Sequence, residues 1–155
     1  MQIHLISIGD HLPIWIQQGY QEYAKRLPKE CELILKEIPA LKRGKNADIH
    51  RIIHQEGEKM LAALPNKAHK IILDLAGQSW STPQLAAELK QWLVSGQNIA
   101  LFIGGAEGLS PTLKAQADQA WCLSALTFPH PLVRVIVAEQ LYRAWSLLNH
   151  HPYHR

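Results

Sequence analysis

Cysteine is scarce. Cys31 and Cys122 lie far apart and no CxxC pair occurs, which argues against a disulfide framework or a cysteine-built zinc site and fits a reducing compartment. Long apolar runs are also missing: none approaches the ~20 residues needed to cross a bilayer. The first residues, MQIHLISIGDHLP, carry no basic leader and no small-residue cleavage site. A cytoplasmic protein that does not enter membranes is expected. No linker, low-complexity segment or block of like charge divides the 155 residues, so one domain spanning 1–155 is expected. The formal net charge of +3 permits an acidic partner without demanding one. No Gly-Lys-Ser/Thr occurs, which removes Walker-type phosphate binding. Neither a Ser-His-Asp nor a Cys-His arrangement is legible.

What the chain does have is regular alternation of strand and helix patterns. Strands are expected at 3–9, 31–38, 70–76, 98–103 and 120–128. Between them, Ile16, Tyr20, Tyr23 and Leu27 give one helix face, and Ile49, Ile52, Ile53, Met60 and Leu61 a second. Thr82 reads as the cap of a third helix that Gly96 closes, and Ser110-Pro111 starts a fourth, expected to reach Gln119. A long last helix is expected from Pro131 to Leu148. Five β-α repeats with short connections predict an α/β fold, a parallel sheet with helices on both faces.

In such sheets ligands bind beyond the carboxyl ends of the strands. Three of those ends are unusual: LDLAGQSWSTP, IGGAEGLSP and SALTFPHP. The glycine pair Gly104-Gly105 lacks GxGxxG spacing, and no acidic residue ends the next strand, which argues against a dinucleotide. Few charges lie in the three loops, so the ligand they suit is held by backbone groups, as an adenine and a methionine tail would be. Glu107 and Asp74 form a conceivable acid and base. Lys42, Arg43 and Lys45 surround Gly44 ahead of a helix start, where exposed cations can meet phosphate. His130 and Arg134, one turn apart, can face the same mouth. The last helix is apolar over most of its circumference and Glu139 and Arg143 have a favourable i,i+4 orientation, so a covering subunit is expected. In the tail, Tyr153, His154 and Arg155 suit RNA; His150, His151 and His154 lack a nearby carboxylate or cysteine and are not expected to hold metal.

The blocks LDLAGQSWSTPQLA, FIGGAEGL and LTFPHPLVRVIVAEQLYRAWSLLNHHPYHR, together with ALKRGKNAD, resemble the signature blocks of a family, in order and at matching length. That family is the bacterial large-subunit (23S) rRNA pseudouridine N3-methyltransferases of the SPOUT class. The resemblance implies a C-terminal trefoil knot, a homodimer packed through the last helix, and S-adenosylmethionine as cofactor. It implies cofactor contacts from Leu73 and Gly77, from Gly104 and Gly105, and from Leu123, Ser124, Ala125, Leu126, Thr127 and Phe128. The implied substrate is a pseudouridine in a 23S rRNA stem-loop on the assembled ribosome. His130 is the candidate base, with Arg134 or Arg155 steadying the developing anion. Lys42, Arg43, Lys45, Tyr153, His154 and Arg155 are the candidate RNA contacts. Ala106 and Pro131 stand at positions that tolerate other residues in the family. A tRNA-directed SPOUT enzyme and a non-catalytic ribosome-binding module are the alternatives.

Overall fold

Apolar side chains alternate along the strands, and that alternation fills two cores at once. The computed structural model describes all 155 residues. Its elements are β1 (Gln2–Ile8), α1 (Ile14–Ala24), β2 (Glu32–Ile38), α2 (Ile49–Ala62), β3 (His69–Ser79), α3 (Thr82–Ser95), β4 (Ile99–Ile103), α4 (Pro111–Gln116), β5 (Gln119–Cys122) and α5 (His130–Leu148). Short 3-10 turns occupy Lys29–Cys31 and Pro152–His154. The strands form one parallel sheet in the order β2-β1-β4-β3-β5. Ile3, Leu5, Ile99 and Leu101 share one core with Tyr20 of α1, Leu89 of α3 and Leu141 of α5. Ile6, Ile8, Ala100 and Phe102 share the other with Met60 of α2 and Leu113 of α4. Helices thus cover both faces, as the strand-helix alternation predicts. Cys31 and Cys122 are buried free thiols.

Element ends differ from the sequence reading for local reasons. The third helix is capped by Ser81, not Thr82: Ser81 Oγ accepts the Gln84 N–H and the Gln84 side chain accepts the Ser81 N–H, a reciprocal capping box. Gly96 closes that helix in the left-handed conformation, φ 67°. α1 ends at Ala24, short of Leu27, and α4 ends at Gln116, short of Gln119. Ser110 Oγ caps α4 by accepting the Leu113 N–H. β5 is four residues long and stops at Cys122, so 123–129 leave the sheet as a loop instead of continuing the strand to 128. α5 begins at His130, with Pro129 at the cap position.

β3 departs most. Leu73 and Gln78 both register with Trp121, so Asp74, Leu75, Ala76 and Gly77 loop out of the ladder between them. Gly77 permits this: a Cβ there would lie 2.5 Å from the Ala120 carbonyl carbon. The bulge returns to β5 only because that space is empty.

α5 lies against α1 and α3. Val137, Ala138, Leu141 and Ala144 are buried beneath it, while Leu132, Val133, Val135 and Ile136 stay part-exposed within this one chain. Ile14 and Trp15, at the start of α1, are more than half exposed.

Candidate active site

The carboxyl ends of β3, β4 and β5 each release an irregular segment, and these segments enclose the cavity. The β3 bulge gives Leu73, Asp74 and Leu75. The turn after β4 gives Gly104, Gly105, Ala106 and Gly108, and the loop after β5 gives Leu123, Ser124, Leu126, Thr127 and Phe128. The cavity has a volume of about 510 Å³ and is lined by eighteen residues, half of them hydrophobic. That size suits a small-molecule cofactor. Leu75 and Leu126 stand exposed at its edge, at 62% and 69%, where a bound group would cover them.

The glycines of the β4 turn serve the protein's own backbone first. A Cβ on Gly104 would lie 2.6 Å from the Gly108 carbonyl carbon, and Gly108 itself has φ 84°, favouring glycine. A Cβ on Gly105 would meet Ile8 Cγ2 at 3.2 Å and Arg43 Nη2 at 3.4 Å. The turn therefore folds tightly on itself while still lining the cavity. Among the expected cofactor residues, Gly77 and Ala125 do not line the cavity. Gly77 acts one step removed, by letting the bulge close.

Arg43 is not the exposed cation that its basic loop suggests. Its guanidinium donates to both oxygens of Glu56 and of Glu107, and to the Leu41 carbonyl. Glu56, only 3% exposed, also accepts the Leu41 N–H. Hydrogen bonds from Arg43, and then its charge, hold the Glu107 carboxyl below its usual range. Lys42 and Lys45 remain outside this cluster.

Arg134, likewise, is not free for a substrate. It is 2% exposed and donates to Ser7 Oγ, to the Ile8 and Gly9 carbonyls, and to Glu37 at 2.7 Å. It fastens the first turns of α5 to the end of β1. His130 lines the cavity one turn earlier, and both side chains reach Gly9: a Cβ there would lie 3.6 Å from His130 Nε2 and 3.6 Å from Arg134 Nη2. Burial first, then the charges of Arg134 and Arg43, hold the His130 imidazole below its ordinary pKa. It is uncharged at neutral pH.

Asp74 and Glu107 do not pair as acid and base. Asp74 accepts the Ala76 N–H and faces Lys114 Nζ at 3.2 Å across the cavity, whereas Glu107 belongs to Arg43. The Ala76 N–H, with Lys114, holds the Asp74 carboxyl low. Lys114 and Leu75 escaped the sequence reading. The signal available for the bulge was an Asp and a Gly inside an otherwise apolar strand.

The tail is docked. Tyr153 packs against Tyr142 with ring centroids 4.7 Å apart, Arg143 lies over its ring, and its hydroxyl donates to Glu139 at 3.0 Å. His154 Nδ1 meets Ser146 Oγ at 2.9 Å, and Arg155 is exposed. No three His, Cys, Asp or Glu side chains gather as a metal-binding group, and no helix is long and apolar enough to cross a membrane.

Comparison with known proteins adds to this geometry. A family model described as "Predicted SPOUT methyltransferase" matches residues 1–154. A "Ribosomal RNA large subunit methyltransferase H" of Methylococcus capsulatus is 56% identical over 155 residues, covering 100% of both chains. Two solved structures share the fold. A methylase family protein from Haemophilus influenzae aligns with TM-score 0.57 at 12% identity, over 97% of this chain and 69% of that one. A methylase family protein from Neisseria gonorrhoeae aligns with TM-score 0.51 at 12% identity, over 96% and 93%.

Proposed function

The chain belongs to the SPOUT methyltransferase family, and from that premise we propose that it methylates N3 of a pseudouridine in a 23S rRNA stem-loop, on the assembled ribosome in the cytoplasm. The observation that carries the reading is the mostly uncharged cavity beyond β3, β4 and β5, joined to the whole-length likeness to an rRNA methyltransferase.

S-adenosylmethionine would be held by Leu73, by the Gly104-Gly105 turn and by the loop from Leu123 to Phe128; when bound it supplies an electrophilic methyl group on a sulfonium. The residues present fit it. Leu73, Leu123 and Phe128 give apolar surface for a ring, Leu75 and Leu126 can close over it, and the bulged backbone offers polar groups. The family's trefoil knot belongs to the same proposal.

The imide N–H of pseudouridine must lose its proton before N3 becomes nucleophilic. His130, uncharged and at the cavity wall, is the group that would accept that proton. Arg134 then acts through α5: by tying Ser7, Gly9 and Glu37 to the helix it fixes where His130 points. This replaces the expectation that Arg134 itself steadies an anion.

The part-exposed apolar face of α5, beside the exposed Ile14 and Trp15 of α1, supports a homodimer. Geometry supports a shared site as well. α5 has nineteen residues, so its two ends lie about 28 Å apart at 1.5 Å per residue. His130 is at one end, and the tail folds back from the other to lie along Glu139, Tyr142 and Ser146. Docked there, the tail does not line the cavity of its own chain, and in an antiparallel α5 pair it would lie near the cavity of the other subunit. There Arg155 and His154, with Lys42 and Lys45 from the first chain, would meet rRNA phosphates.

The test is methyl transfer from labelled S-adenosylmethionine to ribosomes lacking the modification, with naked rRNA and tRNA alongside and the product mapped by mass spectrometry. Label confined to a pseudouridine on ribosomes is expected. Label on tRNA would move the function to another RNA, and ribosome binding with no label anywhere would mark a non-catalytic module.

A further inference from the structure

The charges that face the cavity are few and unequal. Of its lining residues only Lys114 carries a full positive charge, since His130 is uncharged at neutral pH, and only Asp74 carries a negative one. The two other cations nearby are committed elsewhere: Arg43 to Glu56 and Glu107, Arg134 to Glu37 and the β1 carbonyls. Lys114 is held differently. It sits in the last turn of α4, its side chain is 45% exposed, and its one partner is the Asp74 carboxylate at 3.2 Å. Asp74 has a second attachment, the Ala76 N–H, and so keeps its place in the bulge whether or not Lys114 stays. The ammonium can thus turn toward a new anion without stranding a buried charge.

Resting on the cofactor reading above, we infer that Lys114 recognises the α-carboxylate of S-adenosylmethionine, and so sets the site's preference for a cofactor bearing an intact amino-acid group. That carboxylate is the cofactor's one anionic group, and Lys114 is the one lysine or arginine that lines the cavity. A carboxylate entering near Lys114 shares or replaces Asp74 as its acceptor. Asp74 is left facing the cationic end of the same group, which carries an ammonium. The cavity's single pair of opposite charges then matches the zwitterion charge for charge.

Isothermal titration of wild-type protein with S-adenosylmethionine and with its decarboxylated analogue, S-adenosyl-3-methylthiopropylamine, tests this. Wild type is expected to bind the carboxylate-bearing form roughly 10- to 100-fold more tightly, the range of a charge-assisted hydrogen bond. Lys114→Met should lose that margin, binding both compounds as wild type binds the analogue, with an unchanged melting temperature for the free protein. Lys114→Arg should restore most of the margin, and Asp74→Asn should keep it. A margin that survives in Lys114→Met overturns the inference and leaves the cofactor reading intact. A wild type that binds S-adenosylmethionine but shows no margin does the same. A wild type that binds neither compound overturns both.

Discussion

Arg43 Nε lies 3.0 and 2.9 Å from the two carboxylate oxygens of Glu107, sixty-four residues away in the chain. Through the same guanidinium the Gly104–Gly108 turn is joined to Glu56 of α2 and to the basic loop at Leu41. One side chain therefore connects the surface proposed to meet RNA with a wall of the cavity. Removing it as Arg43→Met leaves Glu56 buried without a cation, at a cost of about 3–5 kcal/mol. Glu107→Gln touches only a partly exposed pair, which should cost less than about 1 kcal/mol. It should nonetheless weaken S-adenosylmethionine binding several-fold, because the turn loses its tether. Urea denaturation and cofactor titration on the two variants separate these effects, and equal destabilisation in both would refute this division of roles.

Gly77→Ala puts a methyl group 2.5 Å from the Ala120 carbonyl carbon, against backbone that cannot rotate away. Gly104→Ala does the same against Gly108 at 2.6 Å. Each should cost at least the 1–3 kcal/mol typical of overpacking and reduce cofactor binding. Gly105→Ala meets side chains and not backbone, Ile8 Cγ2 at 3.2 Å and Arg43 Nη2 at 3.4 Å, and should be milder on both counts. Thermal melts of the three variants, ranked, check the order.

His130 titrates below its ordinary 6.5 because burial and two guanidinium groups disfavour its charged form. At pH 7 the base is already present, so single-turnover methylation should not gain from His130 ionisation as pH rises further. As pH falls to the depressed folded-state value, below 6.5, imidazolium forms in the enzyme and this limb of the rate declines. The same sign applies to folding: the contribution of His130 to stability is complete above 6.5 and is lost on acidification. Circular dichroism across the profile therefore belongs in the experiment. His130→Ala should lower the saturated single-turnover rate by roughly 10²–10⁴-fold and abolish the limb. A persistent limb, or a full rate, would end its candidacy as the base.

Mixed dimers test the shared site. One subunit carries Gly104→Ala and the other lacks 152–155, or both lesions sit on one subunit. If each cavity needs the other chain's tail, a separated pair retains one complete site, since the truncated subunit's intact cavity faces the intact tail of the other; with both lesions on one subunit, neither site is complete. Methylation should then survive only in the arrangement with the lesions on separate subunits. Equal activity in the two arrangements would count against a tail acting across the dimer.

Much of the site was legible in order along the chain: the three loops after β3, β4 and β5 were marked by small and turn residues, and the cavity forms there. What each residue does there was less legible. Arg43 and Arg134 read as free cations, because the carboxylates that occupy them, Glu107 and Glu37, are 64 and 97 positions away. Tyr153 read as a stacking surface for RNA, yet its ring is taken by Tyr142 and Arg143. Lys114 read as nothing in particular, since only folding sets it opposite Asp74.

By itself the sequence determined the strand-helix alternation, the two-sided burial of the strands and the placement of most caps. All of these depend on periodicities and hydrogen bonds within a few residues. It also marked the last helix as apolar over most of its circumference. Tertiary structure decided the strand order, the bulge that seats Asp74 and Leu75 at the cavity, and the spending of two arginines on internal carboxylates. Those outcomes depend on which distant segments approach closely enough to exclude a Cβ or neutralise a charge, and no local pattern encodes that distance.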